Sequence, residues 1–296
     1  MNQSQCRKVE GVRANWLLQG VLLLTFLGLS CNLETQPPTT AFQPTPTLFF
    51  DPTATATQQP TQAPQPTANP DTGWELLRPG LERRAINLGL AENGSRESLY
   101  ILRIDPALFR FDVGYHPGQP QSLQQWQTET GALIVVNGGF FTAENIATGA
   151  IVVNDHSSGT SYRDFGGMLA ITAEGPSLRW LPQEPFSPTE GLLAGLQSFP
   201  MLVLPGGQPG YPDEDGNRDR RTVIAQDGNG RMLLVLAIRG AFSLHRMSRF
   251  LVESDLNIDR ALNLDGGTST GLLLSEPAEG IAAFNLLPIV ITVYPK

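Results

Sequence analysis

The sequence predicts one strand-rich α+β domain with a few helices, carried behind a disordered Pro/Thr tether. Three observations point to this. From Gly73 onward, short β-branched runs are divided by Gly, Pro, Asn and Asp, which is the punctuation of strands and turns. Only two stretches carry helical spacing, and they fall irregularly with no repeating βαβ period. Ahead of Gly73 the composition changes to proline, threonine and glutamine.

The chain opens with a basic patch of Arg7, Lys8 and Arg13, an apolar run from Val21 to Leu29, and then Ser30 and Cys31. That order matches a secretory signal, and the apolar run is too short for a membrane span. Leu27-Gly-Leu-Ser-Cys31 resembles a bacterial lipobox, with Gly28 in place of the usual leucine. The expectation is an extracytoplasmic lipoprotein on a bacterial cell surface, held to the membrane by a lipid anchor on Cys31. The chain's two cysteines are Cys6 and Cys31, so cleavage before Cys31 leaves no disulfide framework and no cysteine zinc site. Residues 32–72 have little to bury and almost no charge, so they read as the tether.

In the domain, residues 73–296, strands are expected at Ser98–Asp105, Ala132–Phe141, Gly166–Thr172 and Phe199–Gly207, and in the final run Leu287–Pro295. Asp227-Gly-Asn-Gly230 joins two apolar runs and predicts a hairpin. Helices are expected over Ser122–Gly131 and Phe242–Leu256. In the second, Leu244, Met247 and Leu251 share a face and Ser243 can cap the start. With 41% hydrophobic residues the chain can build a core, and a net charge of -8 argues against a nucleic-acid partner.

Three stretches can carry chemistry. Val135-Val-Asn-Gly-Gly-Phe-Phe141 sets a polar side chain at a strand tip beside two glycines, although a turn before a core aromatic pair reads the same way. Arg218-Asp-Arg-Arg-Thr222 offers guanidinium forks that match phosphate oxygens, with a solvated turn as the plain alternative. Arg221, directly before the strand, is the favoured clamp. Ala261-Leu-Asn-Leu-Asp-Gly-Gly-Thr-Ser-Thr-Gly271 delivers Asp265 from a buried strand into glycines and hydroxyls, donors that orient a carboxylate and tune its pKa. Asp-Gly is itself a common turn pair, but here apolar Leu272-Leu-Leu274 follows at once and confines the polar patch.

The ordered set "NGGFF", "FPMLV", "RT" opening a hairpin strand and "NLDGG" after a helix resembles the phosphodiester glycosidase family over residues 98–296. Thr268 stands where that family usually has a third glycine, Phe199-Pro200 stands for Gly-Pro, and Thr-Val-Ile-Ala stands for Thr-Ala-Ile-Gly. The resemblance implies a pocket where Asn137, Gly138, Gly139, Arg221, Thr222, Asn263, Asp265, Gly266, Gly267 and Ser269 converge. It also implies hydrolysis of a sugar-1-phosphodiester, with Asp265, Arg221 and Asn137 as the catalytic set. Asp265 would be nucleophile or base, Arg221 the phosphate clamp assisted by glycine N–H groups, and Asn137 and Ser269 would orient the sugar or the carboxylate. Glu144, Asp155, Asp164 and Asp219 all stand as possible second carboxylates.

The rival expectation is a non-catalytic surface module that binds phosphorylated glycans, or a factor associated with exopolysaccharide. A carboxylate in the pocket weakens pure phosphate binding and so favours hydrolysis. No cofactor is expected. His116, His156 and His245 lack ligand spacing, and Tyr211–Asp219 offers calcium some oxygens but no terminal glutamate, so it reads as a solvated acidic loop.

Overall fold

The computed structural model describes residues 70–89, 94–163 and 165–296. The expected signal segment, Cys31 and nearly all of the expected tether lie outside these residues, as does Asp164. Asp71, near the expected start of the domain, forms a β-bridge with Ile86. Among the described residues, no helix is long and apolar enough to cross a membrane.

The fold is the expected strand-rich α+β domain, built from three antiparallel sheets and two helices. The eight-stranded sheet runs, edge to edge, Glu75–Arg78, Leu81–Gly89, Arg96–Ile104, Met232–Phe242, Asp219–Asp227, Ile258–Asn263, Met201–Leu204 and Gln208–Pro209. One five-stranded sheet runs His156–Ser158, Ile151–Val153, Ala194–Ser198, Gly167–Thr172 and Gly175–Trp180. The other runs Glu279–Ile281, Leu272–Leu274, Ile134–Asn137, Ile289–Pro295 and Phe109–Tyr115.

All three sheets turn one face into a shared core that includes Leu102, Leu234, Ile224, Leu169, Leu196, Ile134 and Ile291. Met232–Phe242 shows the period-two logic: Met232, Leu234 and Leu236 face that core, while Leu233, Val235 and Ala237 face a second one. Helix Leu244–Glu253 covers the second core with Met247 and Leu251. Ser243 caps it as expected, its hydroxyl accepting from the Arg246 N–H at 3.2 Å. Helix Leu123–Thr130 covers the outer face of the third sheet, seating Trp126 against Val135 and Val290. A capping box of Ser122 and Gln125 starts this helix and Gly131, at φ 65°, ends it. The hairpin turn is held by the buried Asp227 carboxylate, which accepts from the N–H groups of Asn229 and Arg231, both at 2.9 Å.

Each sequence stretch singled out above therefore lies at or just beyond a strand end of this framework: Asn137 at the close of Ile134–Asn137, Arg220 and Arg221 at the opening of Asp219–Asp227, and Asp265 just after Ile258–Asn263.

Candidate active site

Asn137 joins the three stretches. It is fully buried, and its Nδ2 donates to the Asp265 carbonyl at 2.7 Å. Its Oδ1 accepts from the Thr222 hydroxyl at 2.8 Å and from the Gly271 N–H at 3.1 Å. The Asp265 N–H in turn donates to the Gly138 carbonyl at 3.1 Å, and the Leu264 N–H to the Thr222 carbonyl at 2.9 Å. A short amide serves here because it offers donor and acceptor together and no charge.

The convergence expected of Asn137, Gly138, Thr222, Asp265 and the loop after it is thus present. Asn137 itself, with its side chain committed to protein partners, positions the loop and is not free to orient a sugar. Asn137→Ala strands the Thr222 hydroxyl, the Gly271 N–H and the Asp265 carbonyl in a buried place. We expect a loss of about 2–4 kcal/mol in denaturant unfolding, the cost of several unmet buried groups less local relaxation.

The glycines divide by role. A Cβ on Gly138 would lie 2.5 Å from Ile289 Cγ2, and its N–H already donates to the Ile289 carbonyl at 3.0 Å, so this glycine serves sheet packing. The Gly266 N–H donates to Asp265 Oδ1 at 2.9 Å, which orients the carboxylate. A Cβ on Gly139 would crowd the Gln197 carbonyl at 3.0 Å, and one on Gly267, at φ 57°, would meet Asp219 Oδ2 at 2.9 Å. The N–H groups of Gly138 and Gly266 are therefore occupied and do not serve as anion donors.

Asp265 is partly buried beside this loop. Burial raises its pKa above the usual 3.8 and the nearby charge of Asp219 adds to that, while hydrogen bonds from Ser269 and the Gly266 N–H pull it down. Asp219 is thus the candidate second carboxylate that the fold brings next to Asp265. Glu144 and Asp155 are exposed on other loops.

The two arginines separate as well. Arg221 directs its Nε to the Phe242 carbonyl at 3.1 Å and a second nitrogen to the Asn217 carbonyl, so its guanidinium braces main chain. Arg220, on the opposite side of the strand, donates to the Ala282 carbonyl at 3.0 Å and lies 4.6 Å from the centre of the exposed Phe284 ring. Its Nε and Nη1 are buried without a hydrogen-bond partner in the protein. Burial pushes the pKa of both guanidinium groups down. A desolvated cation with two unmet N–H groups is costly unless something anionic completes it. Sequence reasoning favoured Arg221 because it directly precedes the strand. At this irregular strand opening the two side chains part, and Arg220 is the one left with the unmet donors.

Other unmet polar atoms gather nearby. Ser198 Oγ, Asn263 Oδ1, Thr270 Oγ1 and Asn285 Oδ1 are all buried without partners. Asn263 Nδ2 donates to the Phe199 carbonyl at 3.0 Å, and Asn285 Nδ2 donates to the Ser269 hydroxyl at 3.1 Å. Asn285 was missed because it lies in a loop far down the chain from the motifs, with no pattern of its own. Native interiors rarely leave such atoms unmet; two further ones, Gln121 Oε1 and Gln127 Nε2, belong to the segment just ahead of the first helix and to that helix.

A cavity of about 410 Å³, lined by Phe109, Phe111, Asn154, Asp155 and Lys296 among others, contains none of the expected site residues except Asp155. Among the described residues, no group of three His, Cys, Asp or Glu side chains is arranged to hold a metal ion. His116 lies on Trp126 with ring centres 4.3 Å apart, while His156 and His245 each contact a main-chain carbonyl.

Two solved structures share this fold. One is the catalytic domain of zebrafish N-acetylglucosamine-1-phosphodiester alpha-N-acetylglucosaminidase, auto-inhibited by its pro-peptide. It is 18% identical with a TM-score of 0.57, over 74% of this chain and 85% of that one. The other is a protein from Synechocystis, 15% identical with a TM-score of 0.53, over 74% of this chain and 62% of that one. A search of curated proteins finds no match. The family model for phosphodiester glycosidases matches residues 130–287, more than half of the chain and all of the site just described, and the chain belongs to that family.

Proposed function

We propose that the domain hydrolyses the glycosidic bond of a sugar-1-phosphodiester, freeing the sugar and leaving a phosphomonoester. The observation that carries this reading is Asp265: a partly buried carboxylate of raised pKa beside a second carboxylate, on a loop packed against the main chain of Arg220, whose side chain has unmet donors. Water oxygen bonds to the anomeric carbon as the bond from that carbon to the phosphate oxygen breaks, either directly or after Asp265 has formed a glycosyl ester. The water proton passes to a carboxylate and then to solvent.

The departing phosphate ends with one more negative charge than the diester had. Its second pKa lies near neutrality, so it needs little acid help. What it needs is cationic stabilisation, and Arg220 is suited to that once the exposed Phe284 ring turns aside. Arg221 supports the same strand end from behind. Asn263, Ser269 and Gly267 are assigned to the approach to Asp265, Ser269 through its hydrogen bond to that carboxylate.

Asp219 is assigned to orienting water or relaying its proton. Asp219→Asn should lower turnover by about 100-fold, the low end of acid–base assistance. Because the Asp219 charge helps raise the Asp265 pKa, its removal should also move the acid limb of the kcat/KM profile to lower pH. A pH–rate series on the two proteins checks both effects.

Export and anchoring are part of the same proposal. Cys31→Ser should shift the expressed protein from the membrane pellet to the soluble or medium fraction in a bacterial host, read by immunoblot. A wild-type protein found soluble would remove the anchor.

The function is tested by release of free sugar from a panel of sugar-1-phosphodiesters, including a nitrophenyl-phosphate conjugate of N-acetylglucosamine, by the full chain. Release by the wild type supports the hydrolase. Absence of release together with retained phosphosugar binding points to the binding module.

A further inference from the structure

Four aromatic rings from three separate segments meet beside the candidate site. Phe140 and Phe199 have ring centres 4.7 Å apart, Tyr162 and Phe165 4.9 Å, Tyr162 and Phe199 5.3 Å, and Phe165 and Phe199 5.8 Å. They are not interior packing: Phe165 is 51% and Phe199 37% exposed. Among the described residues, the exposed phenylalanines are Phe165, Phe199 and Phe284. The Phe199 carbonyl accepts from Asn263 Nδ2 at 3.0 Å and the Phe284 N–H donates to the Thr268 carbonyl at 2.7 Å, so Asn263 and Thr268, before and after Asp265 in the chain, hold two of them. Apolar rings gathered at a surface lose hydration energy that a ligand can recover.

The cluster is tied to Asp265 by short links. Gly138, whose carbonyl holds the Asp265 N–H, lies two residues before Phe140. Asn263, two residues before Asp265, holds the Phe199 carbonyl at 3.0 Å. On the other side of Asp265, Gly266 packs against the Arg220 backbone, where an added Cβ would come within 2.8 Å of the Arg220 carbonyl. Along this loop the order of attached segments is therefore the aromatic cluster, Asp265 and the Arg220 main chain, whose guanidinium lies over Phe284.

We propose that the aromatic cluster of Phe140, Tyr162, Phe165 and Phe199 is the subsite for the sugar ring that is released, seating its C–H face while the phosphate lies toward Arg220. A pyranose has an apolar face and a hydroxylated edge, and the cluster's surroundings match that division. The faces are aromatic, with electron-rich surfaces that attract C–H groups. Around them lie the Tyr162 hydroxyl, 2.6 Å from the Thr148 hydroxyl, and the Ser161 hydroxyl, 3.0 Å from Gln197 Nε2. A lipid chain would have no use for such a rim, whereas sugar hydroxyls exchange readily into it. The assignment of the ring to the released sugar rests on the reading of Asp265 as the reacting centre.

The test uses the full chain, its Phe199→Ala and Phe165→Ala variants, and Asp265→Asn. Saturation-transfer NMR with N-acetylglucosamine 1-phosphate as the probe reads contact with the sugar ring protons, and no hydrolysis is needed. The expected result is transfer to protons of one ring face in wild type and Asp265→Asn, with affinity about tenfold weaker in each aromatic variant. Inorganic phosphate binding should be unchanged in the aromatic variants, which also shows that they remain folded. Equal probe affinity in wild type and both aromatic variants would overturn the subsite, even if sugar-1-phosphodiester hydrolysis proved correct. Transfer lost in the aromatic variants alongside an absence of hydrolysis by the wild type would keep the sugar subsite and retire the hydrolase.

Discussion

Replacing Asp265 with asparagine is expected to abolish sugar release, lowering kcat by about 10³-fold or more, as removal of a reacting carboxylate does. The fold should survive, because asparagine is isosteric and its carbonyl oxygen can still accept from the Gly266 N–H, which Asp265 Oδ1 holds at 2.9 Å. Stability should move the other way from activity. The Asp265 pKa is raised in the folded protein, chiefly by burial. The folded state therefore binds the proton more tightly than the unfolded chain, and the stability this contributes is present below the unfolded pKa and lost as pH rises through the folded one. At neutral pH the buried charge is a net cost, so Asp265→Asn should melt at a higher temperature than wild type, and the difference should shrink toward pH 3. Thermal melts across that range, beside the sugar-release assay, check both halves. A variant that loses stability at neutral pH would remove the argument from burial, and one that keeps turnover would remove Asp265 from the chemistry. The same raised pKa places the acid limb of the wild-type rate profile above the ordinary aspartate range.

Arg220→Met is expected to lower kcat/KM by about 10²-fold or more, the scale seen when a single donor to a developing anion is removed. The long apolar side chain retains the contact with Phe284 and removes the two buried N–H groups that lack partners. The variant loses the bond to the Ala282 carbonyl, about 1 kcal/mol at this exposed position, and sheds two unmet buried donors at about 1–3 kcal/mol each, so folding stability should hold or rise. Arg221→Met should reverse this pattern. It removes donors to the Phe242 and Asn217 carbonyls, so it should lower stability by about 1–2 kcal/mol and affect turnover less. Comparing chemical denaturation with kcat/KM for the two variants separates the arginines. A larger catalytic loss at Arg221 would return the clamp to the residue that sequence position favours.

Much of the fold is legible because it is local. The period-two run Met232–Phe242, the Asp-Gly-Asn-Gly turn, the Ser122 and Ser243 caps and the Met247/Leu251 stripe are each encoded within a few residues. The strands Glu75–Arg78 and Leu81–Gly89 escaped a local reading because their apolar positions are sparse, and Arg83 and Arg84 carry ion pairs there instead. The grouping of the strands into three sheets is also not local, since Ile134–Asn137 lies between strands from the far end of the chain.

By itself, the sequence determined the domain class, the two helices and the central hairpin, because periodicity, caps and turn residues act between near neighbours, and it singled out polar segments that the fold brings together. It also made Asp265 the carboxylate to watch. Tertiary structure alone decided which of those residues remain free for chemistry. It closed Asn137 into a buried network, turned Arg221 onto main-chain carbonyls, left Arg220 with unmet donors and brought Asp219 next to Asp265. It also gathered Phe140, Tyr162, Phe165 and Phe199 into one surface. The physical reason is that availability depends on which partners a side chain meets across strands distant in sequence, and on which face of a strand it leaves.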